Sequence, residues 1–327
     1  MEIYGNSFGN FLSSYWHVRA YCIYKNIDFD FSRFIILDTY KLPQSNCIKQ
    51  NWAKYLLYKT RKENYDNKSY HISNKIIIND YIKTYYKLTN NEIDIDKFTN
   101  GNKEFLLWSH IIVGTWTSII DIINCDTKKA ITKYLNSKQV EIPKYEENEI
   151  VIHFRTGNVL IGHANPDYPI LKFKYFYDII KKESETKKIT KVTIIWKIPY
   201  NNKDTKFQNG YFDRDKYVIV ALKEYLLKNL ENIHVEVDNN YFSDFIYMFY
   251  APILIVSPSS FGFWAGVASR NICYSPICSL LCNNQTPDIR NNFYWKSIKN
   301  YYVECHCAYR TQKNNEEFVQ KLNDNNL

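Results

Sequence analysis

The residues best suited to chemistry stand in Val151-Ile-His153-Phe-Arg155-Thr-Gly157-Asn158, where an apolar run leads into a His-x-Arg and then a glycine. Two positions apart on a strand, His153 and Arg155 point to the same side. A guanidinium presents several donors in one rigid fork and so matches a diphosphate. A second group is Ser257-Pro258-Ser259-Ser260, which follows the apolar run Ile253–Val256 and precedes the helical stretch from Phe261. Serine caps and the free amides of a helix start make an anion site. Upstream, Asp244 stands at the N-terminus of another helical run, where a carboxylate either caps the helix or accepts from a nucleotide base or ribose. Each group has an ordinary structural explanation: an Arg paired to a carboxylate beside a core His, a capped helix, an N-cap acid. Taken together they describe an anion site at the ends of two strands.

The elements that must hold these groups follow from hydrophobic periodicity. Ile150–Phe154, Val192–Trp196, His234–Val237 and Ile253–Val256 read as strands. Lys172–Lys182, Asp215–Asn229, Asp244–Tyr250 and a stretch from about Phe261 read as helices. This alternation implies a parallel, doubly wound sheet, which binds nucleotides at the carboxyl ends of its strands. Towards the N-terminus, Met1–Tyr4 reads as a strand, Gly5–Asn10 as a turn and Phe11–Lys25 as a helix. Phe34–Leu37 and Ile76–Ile78 suit strands, whereas Gln50–Lys62, Glu104–Asn124 and Lys128–Ser137 suit helices. Lys138–Glu149 is polar and acidic, and a domain boundary is expected there, giving domains 1–145 and 146–327. The residues after Gln312 read as a polar tail.

Composition agrees with a folded α/β chain. Of 327 residues, 45% are hydrophobic and 17% aromatic, with nine Gly and nine Pro, which excludes disordered and collagenous classes. A net charge of +8 favours an anionic partner. No run reaches the roughly 18–20 apolar residues of a membrane span, and Met-Glu-Ile-Tyr lacks a secretory leader. The expectation is a soluble, cytoplasmic protein whose eight cysteines are reduced thiols. Cys273, Cys278, Cys282, Cys305, His306 and Cys307 cluster without a CxxC pair, so buried thiols are expected in preference to a zinc module.

A loop of the form Gly5-x-x-x-Gly9-Asn10, a strand ending in His153-x-Arg155-x-Gly157, and Asp244-x6-Ala251-x5-Ser257-x-Ser259-Ser260-Phe261 together resemble the GDP-fucose-dependent fucosyltransferases of the α1,2, α1,6 and protein O-fucosyl groups. The resemblance covers mainly residues 150–270 and the first twenty-five. It implies an inverting GT-B enzyme: α/β, with two Rossmann-like domains facing a cleft, acceptor on the N-terminal side and nucleotide sugar on the C-terminal side. It also implies that Arg155 contacts the donor β-phosphate and glycosidic oxygen, His153 and Asp244 the guanine, and Ser259 and Ser260 the phosphates. Asn10 and Phe261 complete the donor-binding set. Many members of that group carry an acid where this chain has Asn158. The proton acceptor is then sought in the following loop, where His163 and Asp167 are equal candidates. GDP-fucose is the expected donor and a glycan hydroxyl the acceptor, with no cofactor.

On that resemblance Arg155 and the helix start after Ser260 would supply positive charge for a departing diphosphate, and no metal requirement is expected. Asp-x-Asp strings that hold a divalent ion in another glycosyltransferase fold occur at Asp28-Phe-Asp30, Asp94-Ile-Asp96 and Asp213-Arg-Asp215, near the chance level for this composition. Two further classes fit parts of the pattern. A nucleic-acid binder fits the basic charge and 29 tyrosines, although the lysines are scattered among acids. A catalytically inactive nucleotide-sugar-binding protein fits Asn158.

Overall fold

The computed structural model describes residues 2–3, 9, 12–13, 16, 35–36, 116–156, 160, 169–196, 211–238, 241–282, 286, 288–303 and 314–323. The chain divides into two compact units, Met1–Glu141 and Ile142–Leu327.

In the first unit, β1 (Glu2–Ile3) and β2 (Ile35–Ile36) pair in parallel, Glu2 opposite Ile35. Gly9 is already helical, as are Leu12, Ser13 and Trp16, so the helix begins earlier than the Gly/Asn composition of 5–10 suggests. Ser13 Oγ donates to the Gly9 carbonyl at 3.0 Å, and Leu12 and Trp16 are buried. A 3₁₀ turn at Trp116–Ile119 leads into α1 (Ile120–Lys138). One helix therefore runs through Cys125–Thr127, where the sequence suggested a break. Ile123, Ala130, Ile131 and Leu135 keep one apolar stripe across that point, and Thr127 is buried along it. Gln139, in the left-handed region at φ 54°, ends the helix. The segments 50–62 and 76–78 lie outside the described residues.

The second unit is built on a six-stranded sheet: β3 (Ile150–Phe154), β5 (Lys191–Trp196), β6 (His234–Asp238), β7 (Ile253–Val256), β8 (Ile272–Ile277) and β9 (Phe293–Ser297). All neighbours are parallel, in the spatial order β6-β5-β3-β7-β8-β9. A separate antiparallel pair joins β4 (Ile170–Leu171) and β10 (Tyr302–Val303). The helices are α2 (Phe173–Ser184), α3 (Tyr211–Asn229), α4 (Tyr241–Tyr250), α5 (Ser260–Ala268), the single turn α6 (Ser279–Cys282) and α7 (Asn315–Asn323).

Alternation along each strand sorts the two faces. Ile150, Ile152, Ile253, Ile255, Val192 and Ile194 point into the core shared with α2, α3 and α7. Each is at most 1% exposed, so each contributes about 1.5–3 kcal/mol of hydrophobic stabilisation. The alternate residues point towards α4 and α5. The polar stretch after Gln312 is partly helical, because Phe318, Val319 and Leu322 line one face of α7 and are buried.

At the amino ends of the strands sits a buried carboxylate, Glu149. Thr193 Oγ1 and Tyr247 OH each donate to its Oε1 at 2.7 Å, and the Glu146 amide donates to Oε2 at 3.2 Å. Lys191 lies 3.6 Å from Glu149 and 2.7 Å from Glu236. This network ties the segment leading into β3 to two strands and to α4. It is remote along the strands from their carboxyl ends. Among the described residues, no helix is long and apolar enough to cross a membrane.

Candidate functional site

Counted from β3 as the first strand of this sheet, the spatial order is 3-2-1-4-5-6, so the direction of winding reverses between β3 and β7. Such a reversal sends the two following connections to opposite faces and leaves a crevice at the carboxyl ends, where open α/β sheets take ligands. His153 is paired with Val256 at the top of β3 and β7, and the two polar groups singled out in the sequence follow directly.

These groups are hydrogen-bonded to each other. The Ser257 amide donates to the His153 carbonyl at 3.0 Å, and the Arg155 amide donates to Ser257 Oγ at 2.7 Å. The ladder is thus prolonged one step beyond the strands by a side chain, holding the backbone of Arg155 against the start of the Ser-Pro-Ser-Ser turn. Arg155 remains half-buried, whereas Ser257, Ser259 and Ser260 are buried. Ser257 was read only as part of the turn; its role in fixing Arg155 spans 102 positions and carries no local signal.

α5 starts immediately after this turn. Ser259 has the extended backbone of an N-cap residue, yet its side chain makes no capping bond. The sequence led us to expect serine capping here. The first-turn amides are not satisfied from that side chain, which matters because such amides attract anions.

His153 is 94% buried, and both burial and the neighbouring Arg155 charge disfavour its imidazolium, with burial the larger effect. Its pKa is pushed down to about 3, so the ring is neutral at ordinary pH. Nδ1 has no hydrogen-bond partner. The ring lies against the first turn of α5: a Cβ on Gly262 would stand 2.8 Å from Nδ1 and 2.9 Å from Val256 Cγ1. One turn on, a Cβ on Gly266 would strike Cys273 Sγ on β8. Gly262 and Gly266 therefore let α5 settle directly onto β3, β7 and β8. Neither was singled out from the sequence, although their four-residue spacing inside an apolar helix was the available signal.

Phe261 projects between two rings, 5.9 Å from His153 and 5.6 Å from Phe245 between centroids. That contact joins α5 to α4. Asp244 precedes Phe245 and is only 2% exposed. It is the fourth residue of α4, not its cap, because the helix begins at Tyr241. His153, Arg155, Ser257, Ser259, Ser260 and Phe261 are thus gathered at the carboxyl ends of the two central strands, with Asp244 on the helix that Phe261 packs against. Asn10, Gly157, Asn158, His163 and Asp167 lie outside the described residues.

Chemistry elsewhere is sparse. Cys273, Cys278 and Cys282 are buried free thiols and Cys125 is exposed, while Cys305, His306 and Cys307 lie outside the described residues. Among the described residues, no three His, Cys, Asp or Glu side chains come together as a metal-ligating group. Asp213 and Asp215 both fall within α3, and Asp215 is fully buried. Asp28, Asp30, Asp94 and Asp96 lie outside the described residues.

In comparisons with protein-family models, curated proteins and solved structures, the chain matches none.

Proposed function

We propose that this chain is an inverting glycosyltransferase of the GT-B kind, moving fucose from GDP-fucose to a glycan hydroxyl. The observation that carries the proposal is the joining of Arg155 to Ser257 at the point where the sheet reverses its winding. There a half-buried guanidinium stands beside the start of α5, where Ser259 makes no side-chain capping bond. Both are suited to a diphosphate, the guanidinium by its fork of donors and the helix start by its amides and dipole. The chain after β3 reads Arg155-Thr-Gly157-Asn158-Val-Leu-Ile-Gly162 and lacks the G-x-G-x-x-G of dinucleotide folds, which disfavours a hydride-transfer cofactor.

In the proposed reaction, the acceptor oxygen attacks the anomeric carbon from the face opposite the diphosphate, and the sugar–phosphate bond breaks with inversion. Arg155 and the α5 amides stabilise the charge that develops on the departing GDP. Ser259 and Ser260 bound the phosphate position, and Phe261 shapes its rim. Asp244 and His153 would recognise guanine, and the resemblance also assigns Asn10 to donor binding. A proton leaves the acceptor hydroxyl for His163 or Asp167. Positive charge from the protein itself is the basis for expecting transfer without a divalent metal.

The test is to incubate the full chain with GDP-fucose, GDP-mannose and UDP-sugars and to measure nucleoside diphosphate release with and without a mixed glycan acceptor. GDP release specific to GDP-fucose and increased by acceptor supports the proposal. Binding of GDP without any turnover would mark a nucleotide-sugar-binding protein instead.

A further inference from the structure

On the side of the sheet opposite α5, the last two strands carry a cluster that the proposed reaction does not use. Phe293 and Trp295 of β9 point towards α5, where both pack on Phe263. By alternation Tyr294 and Lys296 point the other way. Tyr294 pairs with Tyr274 in register and stacks on it at 5.0 Å, with 29° between the rings. β9 is the edge of the sheet, and Tyr294 is 40% exposed there.

Lysines surround this row. Lys182 Nζ, from the end of α2, stands 5.4 Å from the centroids of both Tyr274 and Tyr294. Lys296 lies 5.1 Å and Lys174 5.9 Å from the Tyr301 ring. One carboxylate, Asp178, sits among them, accepting from Lys174 at 2.7 Å and from Tyr301 OH at 2.8 Å. Glu183 is engaged by Lys187 and by Tyr274 OH. Asp178 therefore pairs directly with Lys174 and acts on Lys296, while Lys182 stands over the two stacked rings. Burial and the nearby Lys182 and Lys174 charges hold Lys296 below the usual lysine range against the opposing pull of Asp178. The stretches 172–188 and 293–301 together contain eight lysines and three carboxylates, an excess of positive charge in the segments that supply this cluster.

We propose that this face of α2 and β9 is a docking surface for an anionic polysaccharide. Charge complementarity calls for a polyanion, since an added sulfate or carboxylate would neutralise ammonium groups that already repel one another. The ring geometry selects among polyanions. Single-stranded nucleic acid needs successive open ring faces for successive bases. Here Tyr274 is 2% exposed and the Tyr301 ring is approached by two ammonium groups, whereas Tyr294, stacked on Tyr274 on one side and approached by Lys182, is 40% exposed and is the most open of the three rings. One flat ring flanked by cations suits a sugar stacked through its C–H face with acidic substituents on either side. The surface is distinct from the ends of β3 and β7 and does not depend on the proposed transfer.

A heparin-derived octasaccharide is the probe, titrated into the full chain by calorimetry, with a neutral maltooligosaccharide and an oligothymidylate in parallel. The sulfated chain binds, the neutral one does not, and affinity falls as salt rises. Tyr294→Ala and the double variant Lys182→Gln/Lys296→Gln each weaken binding by about tenfold or more, whereas Arg155→Ala binds as the wild type does. The double variant changes only partly exposed charges, so it serves if Tyr294→Ala disturbs the fold. Wild-type affinity in the double variant overturns the proposal, as does loss of binding in Arg155→Ala. Tighter binding of oligothymidylate through the same residues makes the surface one for nucleic acid and overturns it equally.

Discussion

The Arg155 amide donates to Ser257 Oγ at 2.7 Å, so the two polar segments that the sequence separates by 102 positions share one hydrogen bond at the sheet's reversal point. The bond uses the backbone amide of Arg155, so it does not depend on the side chain at that position.

That division of labour separates chemistry from stability. Arg155→Ala keeps the amide and hence the bond to Ser257, so its melting temperature should stay within a few degrees of wild type. Its turnover of GDP-fucose should fall about 10²–10³-fold, the usual cost of one missing donor to a developing anion. Urea unfolding and steady-state rates on the same preparation check both. A variant that unfolds easily but keeps its specific activity would place Arg155 in a structural ion pair.

The contact of α5 with the sheet should be unforgiving. Alanine for glycine inside a helix ordinarily gains up to about 1 kcal/mol. At Gly262 the new Cβ would meet His153 and Val256, and at Gly266 it would meet Cys273 Sγ. Both substitutions should therefore destabilise, by about 1–3 kcal/mol as overpacked sites do. Cys273→Ala removes the obstructing sulfur, so Gly266→Ala should cost less in that background. Denaturant midpoints across the four-variant cycle test this; simple additivity would show that α5 does not rest on Cys273 as described.

His153 gives a pH signature whose sign is fixed. Its folded pKa of about 3 lies below the ordinary imidazole value of about 6.5. Between those values the unfolded chain binds the extra proton, so this contribution is complete above about pH 6.5 and is lost as pH falls towards 3. The slope is at most about 1.4 kcal/mol per pH unit. Replacing His153 with Gln should flatten that part of the stability curve. A curve unchanged between pH 4 and 6 would mean that His153 is charged or exposed in the folded chain.

The parts of the fold legible in the sequence were those with strong local signals. β3 and β7 match their expected bounds because each is a short apolar run closed by polar turn residues. β8 was not singled out because Cys273, Ser275 and Pro276 dilute its apolar pattern, and β9 because Lys296 interrupts an aromatic run. α7 hid in a polar tail with three buried side chains. At the site, residue types pointed to Arg155 and the serines, but partners did not follow. Hydrogen bonds such as Arg155 to Ser257, and the fit of His153 against Gly262, depend on strand order, and one sequence contains no record of which strands are neighbours.

The base is separable by titration. A histidine at 163 should give a rate that rises with pH around about 6.5, and an aspartate at 167 one that rises around about 4. Whichever variant, His163→Ala or Asp167→Asn, loses the rising limb identifies the acceptor of the proton. An unaltered profile and rate in both would remove this loop from the chemistry.

The most direct test of the central claim is calorimetric titration of GDP into the full chain in buffer containing EDTA, with Arg155→Ala alongside. The account predicts saturable binding to one site without divalent metal, weakened by at least about tenfold in the variant. Absence of binding in EDTA that is restored by Mg²⁺ or Mn²⁺, or equal affinity in Arg155→Ala, would contradict it.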